Sequence, residues 1–445
     1  MENAIKDWRG RAYLPGPVPA DRTRMFWLAW GAMAAISPLQ YGYAALLAQQ
    51  AAGLTLLAVW IACQAAGALP ALHLVRRGRL DVRTALAAGA VLSGVGLAAA
   101  ALPGGGMSSL LTGGGLATLV GYALLGGLGA GLVYGVCGEV ISSWYPERSA
   151  SRVGLITGAF GYGAVPLVVW AGIAPGATSA AFVVAAVVAV AVIGAAARHL
   201  RPAPALWWPD DVDPRTHALD AARLRVTPEA AKQFVLPQAL RTRTLPALAL
   251  ILTCAGAVSV FDVIVVAGTG SWAAVALLVA LNGTSRSLAM RCSELFGRRR
   301  VLAAVLGALA LGQVLLAAAA MDAGPVPAGA AMTSAGDGAG ATAGGWAGGG
   351  VLLWLGVVAA GVGGGAFYPL LASLVREFFG VERAGEIHAV VYSAKALAGL
   401  GAVALALLAL SMPVAALLTA AALAALPALA TPRLRIPGLP ATIPL

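Results

Sequence analysis

Between residues 26 and 430 the chain is apolar for long stretches, each ended by a short polar, Pro-bearing or Arg-bearing break. About 20 apolar residues suffice for an α-helix to cross a bilayer. Twelve such segments can be marked, at 26–48, 54–75, 84–103, 116–140, 152–174, 179–197, 245–267, 271–294, 301–320, 350–373, 386–409 and 412–430. The turns between segments five and six, and between eleven and twelve, are very short. The first 24 residues are polar and Pro-rich and lack a small-residue cleavage site, so segment one is expected to be retained. The pattern predicts an all-α polytopic membrane protein with twelve transmembrane helices in two six-helix bundles.

Composition narrows the class further. Of 445 residues, 60% are hydrophobic and 11% charged, against roughly 25% charged in soluble domains. The net charge of +11 could suggest a nucleic-acid partner, but its distribution argues for topology instead. Of the 29 Lys and Arg residues, 27 lie in the tails or in alternate loops, and the six opposite loops have none. The positive-inside rule then places both termini in the cytoplasm of a multi-pass protein of the cell membrane. Merging either close pair of segments would destroy this alternation. The resulting division is a cytoplasmic tail (1–25), a first six-helix bundle (26–197), a cytoplasmic central loop (198–244) carrying eight basic residues, a second bundle (245–430) and a C-terminal tail (431–445). A short helix is expected near Pro228–Leu240, and the Gly/Ala-rich stretch 321–349 reads as an extracellular linker. Two related bundles around a long basic loop form the pattern of carriers whose site lies between the halves near the midplane. Cys63, Cys137, Cys254 and Cys292 have neither disulfide nor metal spacing. No cofactor, metal site or nucleophile–base pair is expected, so the chain does not read as an enzyme.

The two remaining basic residues, Arg286 and Lys395, fall inside segments eight and eleven. A charge within the bilayer costs several kcal/mol unless it faces protein, water or a counter-charge. Two such residues, both positive, point to a buried site for an anion. Arg can hold a carboxylate through a bidentate fork, whereas Lys is a compact point charge. The plainer alternatives are that Arg286 reaches the cytoplasmic interface, about 12 Å away at helical rise, and that Lys395 pairs with an acid such as Asp262. Aromatic residues at Tyr41, Tyr43, Tyr134, Phe160, Tyr162 and Tyr392 are placed to wall a small cavity. Asp262, deep in segment seven, is expected to balance either cation or to carry a proton. Glu139 is expected to pair with a loop arginine. Glu294 beside Arg298 reads as a cytoplasmic gate latch. The glycine-rich runs in segments four, five and ten suit close helix packing and bending.

The stretch GLGAGLVYGVCGEVISSWYPERSASRVGLITGAFGYGAVP (127–166), with LQYGY in segment one, NGTSR and SELFGRRR in eight, AFYP in ten and VVYSAK in eleven, resembles the major facilitator superfamily. Within it, the resemblance is to the oxalate:formate antiporters, relatives of the monocarboxylate transporters. It implies the major facilitator fold and secondary transport of a small organic anion, with the lipid bilayer and that anion as partners and a monomeric chain. It also implies carboxylate binding by Arg286 and Lys395, with Tyr41, Tyr134 and Phe160 lining the site. The family's oxalate carriers have bulky rings where this chain has Val362 and Gly365, which predicts a roomier pocket and a longer acid. The proton-coupled relatives have an acid where this chain has Asn282, which favours exchange. Proton-coupled monocarboxylate symport, a non-transporting sensor or scaffold, and a drug facilitator remain alternatives.

Overall fold

A computed structural model of the chain describes residues 4–7, 10–75, 78–102, 114–223, 230, 232–322, 350–381 and 383–438. Among these, eleven helices are long and apolar enough to cross a membrane. The first apolar segment is also helical but broken, into Arg22–Ala35, a π-helical turn at Pro38–Gly42 and Tyr43–Leu46. Pro38 has no amide hydrogen to continue the helical ladder, so the break follows from its chemistry. The protein is thus a polytopic all-α membrane protein.

Two other spans are interrupted. One divides into Ser149–Tyr162 and Val165–Ile173, with Pro166 just after the break. The other divides into Ala384–Ser393 and Lys395–Ser411, leaving Lys395 as the first residue of the second piece. Helix Val351–Phe379 runs six residues beyond the expected 350–373 and stops at Gly380, whose φ of +90° favours glycine. Arg376 and Glu377 therefore sit on a helix, where the sequence reading had placed Arg376 in a loop.

Helices of the first half pack chiefly on one another, Ala51–Leu74 against Gly127–Trp144 and Val82–Ala100 against Thr178–His199. In the second half, Arg298–Asp322 packs on Val351–Phe379 and Pro413–Ala430, and Thr244–Ala267 on Lys395–Ser411. The halves meet mainly where Trp272–Phe296 lies along Ser149–Tyr162 and where Lys395–Ser411 lies along Ala51–Leu74. At the first contact the backbones touch, since a Cβ on Gly161 would come within 2.3 Å of the Gly283 Cα. Outward faces such as Val183, Val184, Val187 and Val188 are apolar and exposed, as lipid contact requires.

The polar segments hold more structure than the sequence suggests. Strands Ile5–Lys6, Ala12–Gly16 and Trp207–Pro209 form a three-stranded sheet, in which Leu14 is in register with Trp207. Arg22 lies beside it, 5.5 Å from the Trp207 ring centre. Its guanidinium donates to the Trp144 carbonyl and to both oxygens of Glu147, at 2.7 and 3.0 Å, and lies 3.9 Å from the Tyr145 ring centre. The central loop also carries helices Pro214–Arg223 and Leu236–Leu240. The expected helix near Pro228–Leu240 lies partly outside the described residues, and most of 321–349 lies wholly outside them. Near its end the loop docks on the second half, where Phe234 N–H donates to the Phe379 carbonyl at 2.9 Å.

Candidate functional site

Arg286 and Lys395 are 1% and 2% exposed and come from different helices of the second half. Both lie against the rings of Phe160 and Tyr368. The Arg286 guanidinium carbon is 5.8 and 5.3 Å from those ring centres, and Lys395 Nζ is 5.3 and 5.6 Å from them. Distances of this size to shared rings cap the separation of the two charges at about 11 Å. At such range a ring face stabilises a cation by roughly 0.5–2 kcal/mol, well below the cost of burying the charge.

The rest of each cation's shell is neutral. Arg286 Nη1 donates to the Thr157 carbonyl at 2.9 Å, and Nη2 to the Tyr41 hydroxyl and Asn282 Oδ1, both at 3.0 Å. The Tyr41 hydroxyl in turn donates to Asn282 Oδ1 at 3.2 Å. Lys395 Nζ donates to Gln40 Oε1 at 2.9 Å and to Gln64 Oε1. Among the described residues neither cation is ion-paired with a carboxylate. Several buried donors around them also lack partners: Arg286 Nε, Gln40 Nε2, Gln64 Nε2 and the Tyr392 hydroxyl. Unsatisfied buried donors are costly, and here they crowd two unneutralised positive charges.

Helix irregularities help position these groups. Gln40 and Tyr41 sit in the π-helical turn, where the altered repeat turns them inward together. Lys395 opens a half-helix, so the positive end of that helix dipole adds to its charge. The carbonyl of Ala394, at the break, accepts from Thr253 Oγ1 at 3.4 Å.

Phe160, Tyr41, Tyr134 and Tyr392 gather around the cations. Tyr134 stacks on Tyr392 with centres 5.4 Å apart and a 21° angle, and its ring is 5.7 Å from that of Phe160. Tyr43 and Tyr162 are engaged elsewhere, the first stacked on Tyr122 at 3.8 Å and the second accepting from Trp30 Nε1 at 2.8 Å. The sequence reading missed Gln40, Gln64 and Tyr368. The glutamines had one available signal, as amides inside otherwise apolar segments.

Three expectations need correction. Asp262 balances neither cation. It accepts from Gln313 of helix Arg298–Asp322, because it lies on the face of its own helix turned toward that neighbour. Glu294 is exposed and, among the described residues, acts on Arg298 through its charge without a hydrogen bond or ion pair. The longer helix Val351–Phe379 brings Glu377 to Arg298 instead, at 3.2 Å. Nor does Gly365 leave room for a larger acid. A Cβ there would fall 1.8 Å from the Asn282 carbonyl oxygen, so the place of a ring is taken by the backbone of the neighbouring helix. Val362 is partly buried on the same helix.

A cavity of about 80 Å³ opens toward the arginine-rich face, lined in part by Tyr134, Glu139, Ser142, Arg376, His388 and Tyr392. Arg376 also crosses between the halves, donating to Ser149 Oγ at 2.9 Å.

No family model matches the chain, and no curated protein sequence matches it. Solved structures do. A POT family transporter in complex with 5-aminolevulinic acid aligns over 92% of this chain and 96% of its own, at 12% identity and a TM-score of 0.63. A POT family transporter in complex with a thioalcohol-conjugated peptide aligns over 96% and 98%, at 12% identity and a TM-score of 0.62. The nucleoside transporter NupG aligns over 93% and 99%, at 14% identity and a TM-score of 0.57. The chain has the major facilitator fold. At these identities the likeness establishes the fold alone, and none of the three is an oxalate:formate antiporter.

Proposed function

We propose that the chain is a secondary carrier of small organic anions, working by alternating access in the cytoplasmic membrane, with both termini in the cytoplasm. One observation carries this reading. Two buried cations lie within about 11 Å of each other, share two aromatic walls and have only neutral hydrogen-bond partners. Charges left in that condition are costly to the empty protein, and a carboxylate-bearing ligand would offset the cost. A six-helix bundle at 26–197 and another at 245–430, moving about the shared site, would supply the alternation. The neighbour holding 5-aminolevulinic acid is an instance of this fold around a small organic acid.

Exchange is favoured over proton symport because the side chains bonded to Arg286 are a tyrosine and an amide, neither of which exchanges a proton readily near neutral pH. The resemblance to oxalate:formate antiporters points the same way. Arg286 and Lys395 bind the carboxylates in this scheme, with Tyr41 and Phe160 as walls. Arg298 and Glu377 fasten the arginine-rich side.

Uptake of labelled C1–C6 carboxylates into proteoliposomes tests the proposal. Uptake should accelerate when the lumen is preloaded with unlabelled anion. Carboxylate binding in a thermal-shift assay without any uptake would instead indicate a sensor built on the same fold. Failure of every carboxylate in both assays would reject the reading.

A further inference from the structure

Two of the aromatic side chains beside the cations are placed to do something other than line a binding site. Tyr134 comes from helix Gly127–Trp144 of the first half, and Tyr392 from helix Ala384–Ser393 of the second. Their rings stack across the boundary between the halves. Both face the cavity that opens to the arginine-rich side, whereas neither Arg286 nor Lys395 lines it. On its other side the Tyr392 ring centre is 5.7 Å from Lys395 Nζ, and Tyr134 meets Phe160, one of the two rings shared by both cations. Tyr368, which also lies against both cations, and Thr157, whose carbonyl accepts from Arg286, line the cavity beside the pair, so a single layer of residues divides the cavity from the charges.

We propose that the Tyr134–Tyr392 pair is the gate between the cavity and the buried cations. Three features make the pair movable. The Tyr392 hydroxyl has no hydrogen-bond partner, so only ring contacts, with Tyr134, His388 and the Lys395 ammonium, hold that ring. Tyr392 lies two residues before the break at Ala394, so it rides on a half-helix that can tilt against Lys395–Ser411. Gly138 stands one turn from Tyr134 on the same helix, and a Cβ there would meet nothing within 4 Å, so the Tyr134 ring has open space beside it. Swinging either ring aside joins the cavity to Lys395 while the Arg286 bonds to Thr157 and Asn282 stay intact. This gate deepens the carrier reading, but it can be tested by access alone, without a known substrate.

The test is thiol labelling in inverted membrane vesicles with an impermeant methanethiosulfonate, in a chain whose four cysteines are replaced. Ser142→Cys, in the cavity, reports orientation and folding. Gln64→Cys, buried beside Lys395 and absent from the cavity wall, reports passage beyond the rings. With both tyrosines present, Ser142→Cys should react fast and Gln64→Cys slowly. Tyr134→Ala or Tyr392→Ala should speed Gln64→Cys by roughly tenfold or more, since an open minor state is commonly populated at 0.1–10%, and leave Ser142→Cys unchanged. Tyr392→Phe should keep the slow rate, because the hydroxyl it loses holds nothing. Either alanine variant carries the test if the other fails to reach the membrane. Gln64→Cys reacting as fast as Ser142→Cys with both rings intact, or unaffected by both alanines, would overturn the gate. Failure of carboxylate uptake with the labelling pattern intact would count against the carrier reading and leave the gate standing.

Discussion

Basic side chains in two regions of this protein are accommodated under opposite rules. Toward the polar face, Arg22 and Arg298 meet carboxylates, Glu147 at 2.7 Å and Glu377 at 3.2 Å. In the middle of the fold, Arg286 and Lys395 meet carbonyls, amides, a phenol and ring faces. A paired charge is electrically complete and serves as a fastener between helices and loops. An unpaired one keeps its field and is destabilising until something negative arrives. The contrast suggests that the face was built for holding and the centre for binding.

The largest expected effect breaks the central half of the comparison. Arg286→Gln or Lys395→Gln should lower carboxylate uptake in proteoliposomes by about 30-fold or more, corresponding to the 2–5 kcal/mol typical of losing one partner of a buried charge contact. Lys395→Met should do the same while raising thermal stability without ligand by about 1–4 kcal/mol, since an apolar side chain replaces an unneutralised charge. A fall in stability would mean that Lys395 is structurally neutralised and is not held for a ligand.

The face responds in the opposite sense. Arg298→Gln strands Glu377, whose side chain is 2% exposed, and should destabilise the protein by about 3 kcal/mol. Adding Glu377→Gln should restore part of that loss in a double-mutant cycle followed by thermal melting. Gly161→Ala places a methyl against the Gly283 backbone and should cost about 1–3 kcal/mol with expression reduced. The smallest effect is expected for Arg22→Lys, which keeps the charge but loses the fork onto Glu147 and the stacking on Tyr145. About 1 kcal/mol, read from protease sensitivity of the tail, would distinguish fork geometry from charge alone.

Much of this was legible before any coordinates. Charges within apolar runs stand out because the bilayer excludes them, and that contrast singled out Arg286 and Lys395. Facing direction was harder to read. Helix Thr244–Ala267 is apolar on all sides, so nothing in its pattern told which neighbour Asp262 would meet, and Gln313 lay on a helix chosen by packing. Glu377 was missed because the apolar segment was ended at 373, before the charged residues 376–377, while the helix ran on to the glycine at 380. Gln40 and Gln64 carry no charge to flag them in an apolar run. The sheet escaped because AYLPG and WWP are short, Pro-containing and nearly two hundred residues apart.

That distance has a consequence for synthesis. Leu14 cannot pair with Trp207 until the ribosome has made every residue between them. At 5–20 residues per second the tail stays without its partner strand for roughly 10–40 s. By then all six spans of the first half have been synthesised, so the sheet can close only once that half of the chain is complete.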